Sequence, residues 1–252
     1  MILRLHICSK PSRGCGAILV AWCAAAISVF AGSGTVTGKV ELRESHSAAV
    51  RTHHDFSGVV ISLTSAHPEP PLATPKEHAV ILQKDKTFTP HVLAIPLGSY
   101  VDFPNLDPIF HNAFSSYNGQ IFDVGLYPPG TSRSVRFTRE GVVRVFCNIH
   151  ASMSAMIVVL ATPYFAVTAR DGSFTLPGVP PGQYTLRVVH ERASEAALAA
   201  LTGTVSVGPE ALALPPIAIS EAAYLTIPHK NKYGQDYEPE TDDRMTYPAT
   251  RK

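Results

Sequence analysis

Short alternations of apolar and polar residues, bounded by Gly, Pro, Asn and Asp, recur along most of the chain. The three-to-four-residue spacing of an amphipathic helix is nearly absent. The pattern predicts strands near 35–43 (TVTGKVELR), 57–64 (SGVVISLT), 78–83 (HAVILQ), 91–95 (HVLAI), 99–103 (SYVDF), 133–138 (RSVRFT), 142–147 (VVRVFC) and 155–161 (AMIVVLA). Strands at this spacing, without intervening helices, favour an all-β sandwich over a parallel sheet. His67 to Pro75 holds four prolines in nine residues, cannot donate a regular ladder of hydrogen bonds, and is expected to be a surface loop.

After Thr162-Pro163 the punctuation restarts. YFAVTARDGSFTLPGVPPGQYTLRVVH, residues 164–190, places an Asp171-Gly172 turn between two alternating runs, then Pro180-Pro181-Gly182 before a strand in which Tyr184, Leu186 and Val188 share a face. Further runs at 203–207 and 212–219 would complete a second, smaller sandwich. ASEAALAAL, residues 193–201, is a strong local helix former and reads as a short excursion from the sheet. From Glu221 to Lys252 branched apolar residues are few and charges many, so little independent structure is expected there. A partner-docking arm using Tyr224, Tyr233, Tyr237 and Tyr247 is the alternative.

The amino end changes the compartment. Arg4, Lys10 and Arg13 precede an apolar stretch from Gly14 to Phe30, and Val29-Phe30-Ala31 fits a cleavage site, so residues 1–31 read as a signal peptide; an uncleaved anchor has the same pattern but here would be short. The domain reading is therefore a signal at 1–31, a first sandwich at 32–162, a second at 163–220 and a polar tail at 221–252, with no membrane span once the signal is removed. Without the three basic residues of the signal, 21 Lys and Arg fall to 18 against 20 Asp and Glu, a formal charge of −2 that points to no nucleic-acid partner.

Export makes cysteine usage informative. Cys8, Cys15 and Cys23 leave with the signal, and Cys147 is then the lone thiol in a periplasmic or secreted protein. Such a thiol is exposed to oxidation unless it is buried or held by a metal. It opens the stretch CNIHASM, with His150 and Met153 at three-residue intervals. A thiolate, an imidazole and a thioether on one loop suit copper better than magnesium, calcium or structural zinc. A further ligand must come from elsewhere, and FPNLDPIFHN, residues 103–112, supplies His111 from an irregular loop. His111, Cys147 and His150 would form a trigonal His₂Cys set with Met153 as a weak axial ligand. Met156 competes for that place, but it lies in a strand whose alternation packs it in a core. Cys147 as an ordinary buried apolar residue is the bland alternative. His46, His53 and His54 read as solvated surface.

FPNLDPIFHN followed much later by VFCNIHASM resembles the cupredoxin family over roughly residues 35–160, and the Cys-x₂-His-x₂-Met loop is closer to amicyanin than to plastocyanin. The DGxFxLxxVPPGxYxL string resembles the carboxypeptidase regulatory-like, transthyretin-like sandwich. The combination is similar to proteins labelled methylamine-utilization or plastocyanin-like. The cupredoxin resemblance implies a Greek-key sandwich holding one copper ion, Cu(I)/Cu(II), through His111, Cys147, His150 and Met153. It also implies Asn112 as the residue tying the His111 loop to the cysteine loop, and His150, on the exposed loop, as the electron port. Where amicyanin has proline after the loop histidine, this chain has Ala151, which leaves the loop less rigid.

The function expected on this reading is one-electron transfer between periplasmic redox partner proteins, not an enzymatic reaction. No HxH pair of a multicopper oxidase, nucleophile elbow or phosphate loop is present. The alternative is a non-redox copper-handling protein, or one whose C-terminal sandwich contacts a partner or glycan.

Overall fold

The computed structural model describes residues 32–116, 119–225 and 228–238. The expected signal peptide and the last residues of the tail lie outside these. The all-β class is observed: the described residues form two sandwiches and only two short helices.

Their connectivity departs from the expected order. Gly34–Arg43 pairs antiparallel with Ser173–Val179 and parallel with Leu212–Ala213 and Ile217–Ser220. Val60–Ser65 lies between Phe165–Val167 and Gly182–Val189, with Gly203–Val207 at the far edge. These two sheets enclose a single core of Val36, Val40, Ile61, Leu63, Leu176, Tyr184 and Ile219, among others. Residues 34–65 therefore belong with 163–220. The expected boundaries at 32–162 and 163–220 are corrected accordingly: the first sandwich is inserted into the second. The physical reason is that alternation reports a strand's faces, while its partner is chosen by nonlocal burial that no local window contains.

The inserted sandwich spans the residues between. One sheet orders Val92–Pro96, Ser154–Leu160, Gly141–Phe146, Phe114–Ser115 and Phe122–Asp123; the other orders Ser132–Arg136, Tyr100–Pro104 and Ala79–Val80. A hairpin, Leu82–Lys84 with Thr87–Thr89, closes one side. Ile81, Phe88, Val101, Phe103, Phe137, Val143, Val145 and Ile157 fill its core, and Cys147 and Met153 belong to that same cluster. Each fully buried aliphatic or aromatic side chain contributes about 1.5–3 kcal/mol relative to exposure.

Ser154–Leu160 explains why AMIVVLA is apolar on both faces. Ala155, Ile157 and Val159 point into the inserted core, while Met156, Val158 and Leu160 pack with Val60, Phe165 and Val189 of the outer sandwich. Met156 thus faces away from Cys147, and Met153 does not. Polar pairs supplement this seam: the Nε2 of His91 lies 2.8 Å from Glu191, its Nδ1 lies 3.0 Å from the Ser154 carbonyl, and Arg192 bonds Glu191 and Glu221. Of the helices, Glu195–Ala200 falls in the predicted segment, with Ser194 accepting from the Ala197 N–H as an N-cap. Ala48–His53 was not foreseen, because AAVRTH is too short to show a period.

Two outcomes test this arrangement. A Cβ on Gly172, whose φ is +80°, would stand 2.1 Å from the Val40 carbonyl oxygen. Gly172→Ala is expected to destabilise by about 2 kcal/mol or more, lowering the melting midpoint by several degrees, as scanning calorimetry would show. The Glu191 bond raises the pKa of His91 above its ordinary 6.5, against the effect of burial. The contribution of His91 is therefore complete below about pH 6.5 and is lost as pH rises through the raised value. Glu191 and Arg192 face the ring, and the pair is half-exposed, so the effect is at most about 1 kcal/mol. The stability gap between wild type and His91→Ala should be largest near pH 6 and close by pH 9 in parallel urea titrations.

Candidate metal centre

The strands Gly141–Phe146 and Ser154–Leu160 pair in register from Gly141↔Val159 to Phe146↔Ser154, leaving residues 147–153 as a seven-residue connection. Two backbone bonds close it: Cys147 N–H donates to the Met153 carbonyl and Met153 N–H to the His150 carbonyl, each at 3.2 Å. The loop's three candidate donors are thereby folded inward, with Cys147 and Met153 at 0% exposure and His150 at 4%.

The fourth candidate arrives on the irregular loop that follows Tyr100–Pro104. Asn105, fully buried, builds that loop by accepting from the Asp107 N–H at 3.0 Å and donating to the Ile109 carbonyl at 2.8 Å. His111 then pairs its backbone with Tyr127 in both directions. Its ring lies 4.9 Å from that of His150, edge to face.

His111, Cys147 and His150 form a buried group whose ligand atoms all lie within 4.8 Å of one another. The Cys147 Sγ is 3.9 Å from His111 Nδ1 and 3.7 Å from His150 Nδ1. Three donors placed about 2.0–2.3 Å from one central ion in a trigonal plane are about 3.7 Å apart, and the two sulfur–nitrogen separations are close to that value. Met153 lies in the same core cluster as Cys147.

Asp107 is the partner that sequence reasoning missed. His111 Nε2 lies 2.7 Å from Asp107 Oδ2, so the ring donates there and turns the Nδ1 lone pair toward the sulfur. Burial lowers the His111 pKa, with Asp107 opposing, and the imidazole is neutral as ligation requires. Burial would raise Asp107, but the Lys86 N–H, the His111 ring and the Asp85 N–H together hold its carboxyl below the usual carboxylate range. Those two N–H groups come from the Asp85-Lys86 turn, whose φ values of 53° and 52° are unfavourable for side-chain-bearing residues. The carboxylate thus stabilises a strained turn and orients a ligand at once.

Asn112 is buried, but its direct contacts differ from expectation. Its Nδ2 donates to Asp123 Oδ1 at 2.7 Å and the Gly125 carbonyl at 3.0 Å, and its Oδ1 has no partner among the described residues. It ties the His111 segment to the 123–125 turn, because the strand Phe122–Asp123 passes beside it. The loop that carries His150 is exposed at Ile149, Ala151 and Ser152, while the His150 ring itself is buried against His111. His46, His53 and His54 join no ligand cluster among the described residues.

No protein-family model matches the chain, and none of the curated proteins matches it. Among solved structures, a copper-containing nitrite reductase from Thermus scotoductus SA-01 is similar at 25% identity over 37% of this chain and 26% of its own, with a TM-score of 0.34. A purple cupredoxin from Nitrosopumilus maritimus is 26% identical over 32% of this chain and 99% of its own, TM-score 0.30. A Cu(I) amicyanin variant is 18% identical over 40% of this chain and 98% of its own, TM-score 0.32. The aligned part of the nitrite reductase is thus about a quarter of that enzyme.

Asp107→Asn removes the charge that orients His111 while keeping the side chain's size. Metal affinity measured by chelator competition is expected to fall about 10–100-fold; a change within twofold would remove the orienting role.

Proposed function

We propose that this chain is an exported blue copper protein that carries single electrons between periplasmic redox partners. The observation that supports the reading is the buried His111–Cys147–His150 group at trigonal spacing, with Met153 in the same core. When bound there, copper would supply a centre able to take up and give back one electron. Cys147, His111, His150 and Met153 would hold it, the thiolate as the soft donor, the imidazoles as nitrogen donors and the thioether as a weaker one. Pre-closed backbone bonds at Cys147 and Met153 hold the donors in place, so little rearrangement accompanies a change of charge. Burial keeps water away from the thiolate and supports its persistence outside the cell.

The copper-handling alternative is less well supported. Passing an ion to another protein needs donors that the recipient can reach, and all four candidates here are nearly inaccessible. The outer sandwich, with its carboxypeptidase regulatory-like string, is proposed as the scaffold that grips the inserted sandwich through the Met156–Val158–Leu160 seam.

Copper-loaded protein should show an intense visible charge-transfer band and the narrow hyperfine splitting of a trigonal thiolate site in paramagnetic resonance. Cys147→Ala should abolish the band. Stoichiometric copper in a colourless wild type would defeat the reading.

A further inference from the structure

The tail was expected to carry little structure, yet residues 228–238 are folded and seated on the candidate metal loop. Their own turn is built by Asn231: its Oδ1 accepts from the N–H groups of Tyr233 and Gln235, Gly234 N–H donates to its carbonyl, and Gly234 takes φ +77°. Lys230 pairs with Asp236 at 2.5 Å across the turn. From this unit three side chains and one backbone group reach the ligand segments.

Tyr237 donates its hydroxyl to the Cys147 carbonyl at 2.7 Å. His229 Nε2 lies 2.9 Å from the Ala151 carbonyl, and the His229 ring stacks on Phe146 at 4.0 Å between centroids. Lys232 N–H donates to Asn148 Oδ1 at 3.0 Å, while its ammonium reaches Asp123 Oδ2 at 2.8 Å. Asp123 is the residue that holds Asn112, next to His111. The segment therefore grips residues 146, 147, 148 and 151 on one side and, through Asp123, the His111 segment on the other. Burial, with Cys147 nearby, raises the Tyr237 pKa, so the phenol stays protonated and able to donate.

We propose that residues 228–238 are a strap belonging to the metal centre, in which Tyr237, His229 and Lys232 are positioning residues that hold the 147–153 loop in its ligating shape and retain the metal. The inference rests on the copper reading. It also accounts for Ala151, the position where amicyanin has a proline: this chain fastens it from outside, through the His229 ring. None of the three side chains is among the candidate donors: Tyr237 acts through the Cys147 carbonyl, His229 through the Ala151 carbonyl and the Phe146 ring, and Lys232 through Asp123.

The test uses the full chain and three variants, Tyr237→Phe, His229→Ala and Lys232→Ala. In copper-free protein, hydrogen exchange at the amides of Ile149 to Met153 should accelerate about tenfold, while those of Gly182–Val189 in the outer sandwich stay unchanged. In loaded protein, extraction of Cu(I) by a competing chelator should accelerate by a similar factor. Tyr237→Phe deletes one partly exposed oxygen and leaves the core intact, so it keeps the test valid if a larger truncation unfolds. Unchanged exchange and extraction in all three variants would overturn the strap. A wild type that takes up no copper would instead defeat the copper reading, and exchange in the copper-free protein would then decide the strap alone.

Discussion

The antiparallel ladder between Gly141–Phe146 and Ser154–Leu160 is the constraint on which the site depends. Its register fixes where residues 147 and 153 leave the sheet, and the two bonds across the loop mouth leave their side chains no direction except inward. Both strands are buried on at least one face by the inserted core, and the second is buried on both. Displacing the sulfur would therefore require breaking a ladder at the centre of a sheet, which is far costlier than moving an exposed loop.

His111 meets this fixed element by a chain of polar contacts, not by a ladder. Asn105 shapes the loop, Asp107 turns the ring, and the Asp85-Lys86 turn satisfies the remaining carboxylate capacity. Such networks are stringent because each buried polar member has few alternatives in a dry interior. One side of the centre is thus held by strand pairing and the other by hydrogen bonds.

Much of this was legible in residue types and spacing. The strand pattern and the packing of Met156 in a core depend on local alternation, which sequence records directly, and the Cys147–His150 interval is read from the residues themselves. The partner of Gly34–Arg43 was not legible, since its alternation would suit either sandwich and the deciding contacts lie beyond residue 173. Asp107 could have been found: it stands four residues before His111, but in an irregular loop that spacing does not specify a contact. The seating of Tyr237 and His229 was hidden for a different reason, because a charged, tyrosine-containing tail has the composition of a solvated one.

The insertion itself has a consequence for how the chain is assembled. Lys39 pairs with Ser173, about 130 residues away, so as the chain emerges from its amino end the first strand waits with its edges unpaired until the whole inserted sandwich has been made. The partners of Gly141–Phe146 and Ser154–Leu160 all precede residue 161, so their ladders require no residue of that closure. The strands that carry Cys147 and Met153 thus need nothing from the outer sheets for their ladder, whereas Tyr237 and His229 reach the loop between them only once the last described residues are made.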